Sequence, residues 1–126
     1  MSEHEWEIAL PAGLPVVSLN DRGHWGPRYR RGLTLRQAGF AAARAARVPR
    51  LRAISVRVTY HPPDRRRRDN DNIAAASGKH AIDGLVDARI IPDDRPPYVT
   101  AITHHIGAVR PRGQLVLHIT EQPPEE

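Results

Sequence analysis

The amino-acid sequence predicts a single α+β domain with a mixed four-stranded sheet and two main helices. Three observations favour this fold class. The length of 126 residues is that of one domain. Four short segments alternate apolar and polar residues, as strands with one buried face do. Two further segments repeat apolar residues at helical spacing, and the elements follow one another as strand, helix, strand, helix, strand, strand.

The four strands are predicted from this alternation and from the glycine and proline residues that bound it. They cover residues 5–10, 53–61, 97–106 and 114–120. The last two segments are joined by the turn-like sequence GAVRPRG and are therefore expected to pair as a hairpin. In that hairpin Leu115, Leu117 and Ile119 should face the core.

The two helices are predicted on either side of the second strand. Residues 18–32 contain three glycines and a proline, so they are expected to form a loop. The first helix should begin after this loop at Thr34, which opens a capping box, and stop before Pro49. The second helix is expected over residues 78–88, where an apolar stripe repeats at helical spacing.

The composition and the N-terminal sequence bear on the compartment. The chain has no cysteine, so neither a disulfide nor a thiolate zinc site holds the fold. The N-terminus lacks the basic-then-apolar order of a signal peptide, and no apolar run is long enough to span a bilayer. We therefore expect a soluble, cytoplasmic protein without a membrane partner. Residues 121–126 are expected to form a disordered tail.

The chain is strongly basic, and its charge is unevenly distributed. The formal net charge is +5, and ten arginines but no acidic residue lie between Arg22 and Arg57. Such a field favours polyanions, nucleic acid first. Trp25 and Tyr29 lie among these arginines and would suit base stacking, although for Trp25 alone packing on the core is favoured. The loop arginines expected to contact DNA phosphates are Arg22, Arg28, Arg30 and Arg31.

Residues 64–94 form an acidic segment inside this basic chain. They hold seven of the 14 acidic residues, all aspartates. Asp69 and Asp71 are two residues apart, so in an extended segment their carboxylates point the same way and repel unless a cation lies between them. Mg²⁺ takes oxygen ligands and needs few from the protein. Asp93 or Asp94 would supply a third carboxylate, whereas in the structural alternative Asp69 and Asp71 only pair with the basic run at 65–68.

Lys79, the chain's single lysine, also lies in the acidic segment. It is four residues from Asp83, so the two share a helix face and could form an ordinary surface ion pair of little energetic value. Arginine occupies all 18 other cationic positions. A lysine at this position suggests a need for a compact point charge or for a group whose pKa can shift.

The acidic segment carries a resemblance to a known family. The run DRRRRDNDN, then K-x-x-I-D-G-L, then P-D-D, resembles the RusA-type Holliday junction resolvases, which are small phage and bacterial endonucleases. The sequence SLNDRxHW near the N-terminus is similar to that family's opening, and the likeness covers roughly residues 5–121. The chain departs from the family pattern in a longer gap between Asn72 and Lys79, by about one helical turn, and in Arg89, where a glycine is common.

The resemblance implies a RusA-like fold and a Mg²⁺-dependent homodimer, with Mn²⁺ as a substitute, that cuts four-way DNA junctions on paired strands. The setting would be the cytoplasm of a bacterium or of a phage-infected host cell, and no small-molecule cofactor is expected. It implies metal-ligand roles for Asp69, Asp71 and one of Asp93 and Asp94, with Asp94 the better match. Lys79 matches the family's essential lysine, and Asn72 the asparagine beside the acids.

The resulting hypothesis is metal-assisted hydrolysis of a phosphodiester. Asp69, Asp71 and Asp94 would hold Mg²⁺, and Lys79 would bind the scissile phosphate or assist the attacking water. The DNA contacts expected besides those of the loop arginines come from Arg65, Arg66, Arg67, Arg68 and Asn72. Two alternatives stay open. A non-catalytic nucleic-acid-binding module explains the basic surface but not the aspartates within it, and a D-x-D sugar-nucleotide transferase would need a larger α/β domain.

Overall fold

In the computed structural model, which describes residues 4–20 and 25–123, two helices pack on one face of a four-stranded sheet. The elements are β1 (Glu5–Ala9), α1 (Trp25–Ala45), β2 (Ile54–His61), α2 (Asn70–Asp87), β3 (Val99–Ile106) and β4 (Gln114–Glu121). The predicted α+β class, with a mixed four-stranded sheet and two main helices, is confirmed. Within the described ranges, neither helix has the length and apolar character needed to cross a membrane.

The strand order in the sheet is β1-β4-β2-β3. Strand β4 is antiparallel to both of its neighbours, and β3 is parallel to β2 at the edge. The predicted hairpin of the last two strands is therefore wrong. The chain after β3 crosses the end of β2, where the N–H groups of Gly107 and Arg110 donate to the carbonyl oxygens of Tyr60 and Pro62. Strand β4 consequently pairs on the far side of β2.

The core lies between the sheet and the helices. Val56, Val58 and Tyr60 of β2 are buried on the helix-facing side. Their partners across the β2–β4 ladder are the three residues expected to face inward, and all of these are buried: Ile119, Leu117 and Leu115. Period-two alternation thus identified the buried face of the central strands.

Helix α1 begins at Trp25, nine residues before the predicted start at Thr34. Thr34 is not a cap, since its hydroxyl donates to the Arg30 carbonyl one turn earlier. Pro27 lies in the first turn, where its missing N–H removes no helical hydrogen bond. Gly32 is buried, and a Cβ there would lie 2.6 Å from the His80 ring of α2. A glycine that suggested a loop is therefore a helix–helix packing position.

Helix α2 begins at Asn70, eight residues before the predicted start at 78. Its middle is held against the rest of the fold by small residues. A Cβ on Gly78 would lie 2.8 Å from the Val58 side chain, so α2 rests directly on β2. The buried Ser77 hydroxyl accepts from the Val17 N–H and donates to the Val17 carbonyl, at 3.0 and 2.9 Å.

The two helices touch through their backbones. A Cβ on Gly84 would lie 2.3 Å from the Arg36 carbonyl oxygen, and one on Gly39 would lie 2.4 Å from the Ala81 carbonyl oxygen. A two-pronged ion pair closes the same interface, because Nε of Arg36 lies 2.6 Å from Oδ2 of Asp87 and a terminal nitrogen lies 2.7 Å from Oδ1. This hydrogen bonding lowers the pKa of Asp87 and raises that of Arg36.

The predicted disordered tail, residues 121–126, was placed too early in the chain. Glu121 is the last residue of β4, and the Gln122 N–H donates to the Ala53 carbonyl at 2.9 Å. The Gln122 side chain also donates to the Ser55 hydroxyl at 3.0 Å. The pairing of β2 with β4 therefore continues past residue 120, and residues 124–126 lie outside the described ranges.

We expect Gly84→Ala to lower the free energy of unfolding by about 1–3 kcal/mol, because the added methyl group would overlap backbone atoms of α1. Gly32→Ala is the matched control, since the nearest neighbour of its methyl group would be the His80 side chain, which can turn aside, and not helix backbone. Both changes gain the same helix propensity, so the difference between their free energies of unfolding reports the contact of Gly84 with the backbone of α1. Urea denaturation measures it, and equal losses in the two variants would contradict the backbone contact at Gly84.

Candidate active site

Helix α2 and the turn that follows it carry the candidate catalytic residues. Asp69 is the N-cap residue of the helix, and Asp71 lies in its first turn. Lys79 and Asp83 follow in the second half of the helix. The Asp93-Asp94 pair lies in the turn between α2 and β3. The predicted residues thus fall into an N-terminal and a C-terminal group along one helix.

The structure brings Lys79 and Asp94 together. The Lys79 Nζ atom lies 3.4 Å from Oδ2 of Asp94, although fifteen residues separate them in the chain. The turn that carries Asp94 is itself ordered by hydrogen bonds. Oδ1 of Asp93 accepts from the Asp94 N–H at 2.7 Å, and its other oxygen lies 2.8 Å from Nε of Arg95. Asp93 therefore positions the turn, and Asp94 is the carboxylate next to the lysine.

Asp83 belongs to this group, although sequence reasoning did not include it among the site residues. It is half-buried one turn after Lys79, close enough to Asp94 for the two carboxyl groups to shift each other's pKa. Burial raises the pKa of Asp83, and the neighbouring charge of Asp94 raises it further. Burial also opposes the charge on Asp94, but its hydrogen bonds with Asp93 and the charge of Lys79 outweigh that effect and lower its pKa. Asp83 thus holds a proton more readily than Asp94 does.

The N-terminal group is organised around Asp69. Oδ2 of Asp69 accepts a hydrogen bond from the Asn20 side-chain amide at 2.7 Å and another from Asn72. These bonds tie the segment before α1 to the start of α2. The expectation that Asp69 and Asp71 share one face of an extended segment is wrong, because Asp71 is helical. Residues two apart on a helix do not face the same way.

The two groups are separated along the helix axis. A rise of 1.5 Å per residue places Lys79 about 15 Å beyond Asp69. In residues 4–20 and 25–123, no three His, Asp or Glu side chains are arranged to hold a metal ion. A single centre that joins Asp69, Asp71 and the Asp93-Asp94 pair stays a prediction.

The donor chemistry nevertheless suits a hard divalent cation. Asp83 and Asp94 are neighbours that shift each other's pKa, and the donor atoms of both side chains are oxygens. Mg²⁺ is commonly held by one or two carboxylates, with water and substrate phosphate as its other ligands. At the N-terminal group, the buried Oδ1 of Asn70 has no hydrogen-bond partner among the described residues. Because Asp69 and Asp71 do not face the same way, the pair Asp83–Asp94 is the part of the site that fits Mg²⁺ best.

The basic run at 65–68 is only partly available for DNA. Arg65, Arg66 and Arg67 are exposed, whereas the Arg68 side chain is 16% exposed and lies 2.6 Å from Oδ1 of Asp64. The hydrogen bond from Arg68 also lowers the pKa of Asp64. The acid that pairs with the basic run is thus Asp64, and the described partners of Asp69 are asparagines.

Helix α1 presents basic and aromatic side chains beside this site. Its 21 residues contain no acid, and Arg28, Arg30 and Arg31 lie in its first two turns. Trp25 is 72% exposed and meets the Tyr29 ring edge-to-face at a centroid distance of 5.6 Å. The interpretation that Trp25 packs on the core is therefore wrong. The predicted DNA contact Arg22 lies outside the described residues.

Comparison with known proteins adds no family assignment. No model of a known protein family matches the chain, and no curated protein matches it either.

We expect Asp94→Asn and Asp83→Asn each to weaken Mg²⁺ or Mn²⁺ binding about 10–100-fold, because each removes one carboxylate of the pair. Asp87→Asn is the matched control, since it makes the same change on α2 at a residue engaged by Arg36. Isothermal titration calorimetry measures the affinities. Unchanged affinity in Asp94→Asn would show that the C-terminal group does not hold the ion.

Proposed function

We propose that this chain is a metal-dependent endodeoxyribonuclease that cuts four-way DNA junctions as a homodimer. The observation that carries the proposal is the contact between Lys79 and Asp94. It joins the only lysine of the chain to the aspartate that best matches the resolvase motif. The carboxyl group of Asp83 completes this cluster, and the acid-free helix α1 lies alongside.

The carboxylates would hold Mg²⁺, with Asp83 and Asp94 as the pair that fits it best and Asp69, Asp71 and Asp93 as the remaining proposed ligands. The bound ion would activate water and stabilise negative charge that develops on the phosphate. Asp94 suits this role because its lowered pKa keeps it ionised. Lys79 would hold the scissile phosphate, since its amine is exposed. Its 3.4 Å contact with Asp94 is long for an ion pair, so a phosphate oxygen could replace the carboxylate as its partner.

A basic surface would deliver the DNA backbone to these residues. The side of α1 that carries Gly32 packs against His80, which is the neighbour of Lys79 in the chain. The arginines of α1 therefore lie on the helix that borders the candidate site, and the exposed part of the basic run precedes Asp69. Trp25 and Tyr29 would add a stacking surface for an exposed base.

The proposed homodimer follows from the symmetry of the substrate. A four-way junction has two-fold symmetry, so two equivalent cuts call for two equivalent active sites related by the same axis. The resemblance to RusA-type resolvases supports this assignment.

A non-catalytic nucleic-acid-binding module is the second candidate. It is favoured by one observation, namely that the described side chains form no three-carboxylate metal group. In such a module, Asp94 would only neutralise Lys79, and the arginines would bind DNA without cleavage. The two functions differ in whether Mg²⁺ changes the DNA covalently.

We expect the wild-type protein to nick a labelled four-way junction in the presence of Mg²⁺ and to leave a linear duplex of the same sequence intact. Asp94→Asn and Asp71→Asn should each lower the cleavage rate by at least about 100-fold, because each removes a proposed carboxylate ligand of the ion that would stabilise charge on the reacting phosphate. Junction binding should be kept or tightened, since a negative charge is lost. Asp87→Asn should cleave normally.

Loss of junction binding in Asp94→Asn would assign this aspartate a structural role. Binding by the wild-type protein without metal-dependent cleavage would favour the non-catalytic module.

We also expect the exposed arginines to dominate the salt dependence of binding. Arg66→Ala should reduce the slope of log K against log salt by about 0.9, the value for one lost phosphate contact. Arg68→Ala is the matched control and should reduce it less, because Asp64 already engages that guanidinium group. Fluorescence anisotropy over a salt series measures both slopes. Equal reductions would show that Arg68 leaves Asp64 to bind DNA.

A further inference from the structure

Strand β3 leaves its outer edge unpaired in the described chain, where it is the last strand of the sheet. Open edges invite pairing with other chains, so natural sheets usually protect them with charge, proline or short length. The opposite edge strand, β1, has this protection, since it is five residues long and contains Glu5 and Glu7. Strand β3 has eight residues and contains neither a charged residue nor a proline. It lies in a 14-residue stretch without charge, between Arg95 and Arg110.

The same strand exposes apolar side chains. Ile102 and Ile106 are each 40% exposed, although they align with the buried Val56 and Tyr60 of β2 on the helix-facing side of the sheet. Helix α2 approaches β2 closely at Gly78, and both isoleucines of β3 stay partly exposed on the same face of the sheet. A strand added at this edge would cover both of them.

The backbone of β3 fixes which residues would pair. The Gly107 N–H points inward, because it donates to the Tyr60 carbonyl of β2. Successive residues of a strand direct their backbone groups to opposite edges, so Ile102, His104 and Ile106 direct theirs outward. The two isoleucines lie at equal distances on either side of His104.

We infer that β3 pairs antiparallel with β3 of a second copy of this chain, about a two-fold axis at His104, to form a continuous eight-stranded sheet. In this register Ile102 faces the partner's Ile106, and His104 faces the partner's His104. Each facing pair exchanges two backbone hydrogen bonds, and all four exposed isoleucines meet across the axis.

A second copy is the occupant that the strand itself specifies. Because Ile102 and Ile106 lie two residues on either side of His104, an antiparallel copy of the same strand centred there places each isoleucine opposite an isoleucine. The charge distribution also favours a second copy at this edge. Two chains of net charge +5 repel each other, and this repulsion is smallest where the uncharged stretch between Arg95 and Arg110 is in contact.

This interface describes how the homodimer of the proposed function would form. Only its role in junction cleavage rests on the proposed function. The pairing of β3 requires no metal, no DNA and no catalytic activity. Its test therefore uses the protein alone.

The first test is the mass of the full chain in solution, measured by sedimentation equilibrium without DNA. The inference predicts about 28 kDa, which is twice the chain mass of 14.1 kDa. Ile102→Asp should shift the mass to that of the monomer. Leu33→Asp is the matched control, since Leu33 is 39% exposed on α1 and its replacement should leave the dimer intact. A monomeric wild-type protein would overturn the inference, because the outer edge of β3 would then not bind a second copy of the chain.

The second test fixes the register and does not depend on a destabilised variant. The chain contains no cysteine, so one introduced thiol reports one contact. His104→Cys should form a covalent dimer under mild oxidation, because directly facing residues lie about 5.5 Å apart between Cα atoms. Ile102→Cys should not, because its equivalent in the partner is displaced by four residues along the strand. Crosslinking of Ile102→Cys but not of His104→Cys would overturn this register.

The two proposals fail in distinguishable ways. A dimer with these crosslinks that does not cut junctions supports the β3 interface and contradicts the nuclease. A monomer that cuts junctions in a metal-dependent way contradicts the interface and supports the nuclease.

Discussion

The close approach of α1 and α2 at Gly39 and Gly84 is the constraint on which the rest of the structure depends. With no Cβ at either position, the helix backbones touch, and α2 is also held against β2 at Gly78. A helix fixed on two sides offers little freedom to the residues that it carries. Lys79 and Asp83 are therefore presented by a rigid element, which suits a site whose groups must keep their distances.

The strands were predictable from the sequence because alternation directly records which residues are buried. The helix starts were not, because glycine and proline were interpreted as breakers. Gly32 and Gly78 are instead positions where another element approaches too closely for a side chain. The pairing partner of β3 could not be predicted from the local sequence either, since GAVRPRG has the composition of a tight turn and suggested a hairpin with β4. Only the tertiary structure shows that this segment crosses the end of β2.

The candidate site was predictable to the extent that its residues occur in one ordered motif. The motif indicated Lys79 and Asp94, and the fold brings these two together. Asp83 was missed because its importance depends on burial and on a neighbour eleven residues later, which spacing does not reveal. One of the two partners of Asp69 was equally hidden, since Asn20 lies 49 residues away in the chain. Two signals were available for Asp83, namely its i, i+4 spacing from Lys79 and its place in the K-x-x-I-D-G-L motif. The spacing was interpreted as that of an ordinary ion pair, and the motif was used only for Lys79.

The most direct test of the proposed nuclease is to map, at nucleotide resolution, where the wild-type protein cuts each strand of a four-way junction in the presence of Mg²⁺. Two symmetric active sites acting on one symmetric substrate predict paired cuts at equivalent positions on opposite strands near the crossover. Intact strands, or scattered cuts that occur equally in a linear duplex, would contradict a carboxylate and lysine site that resolves junctions.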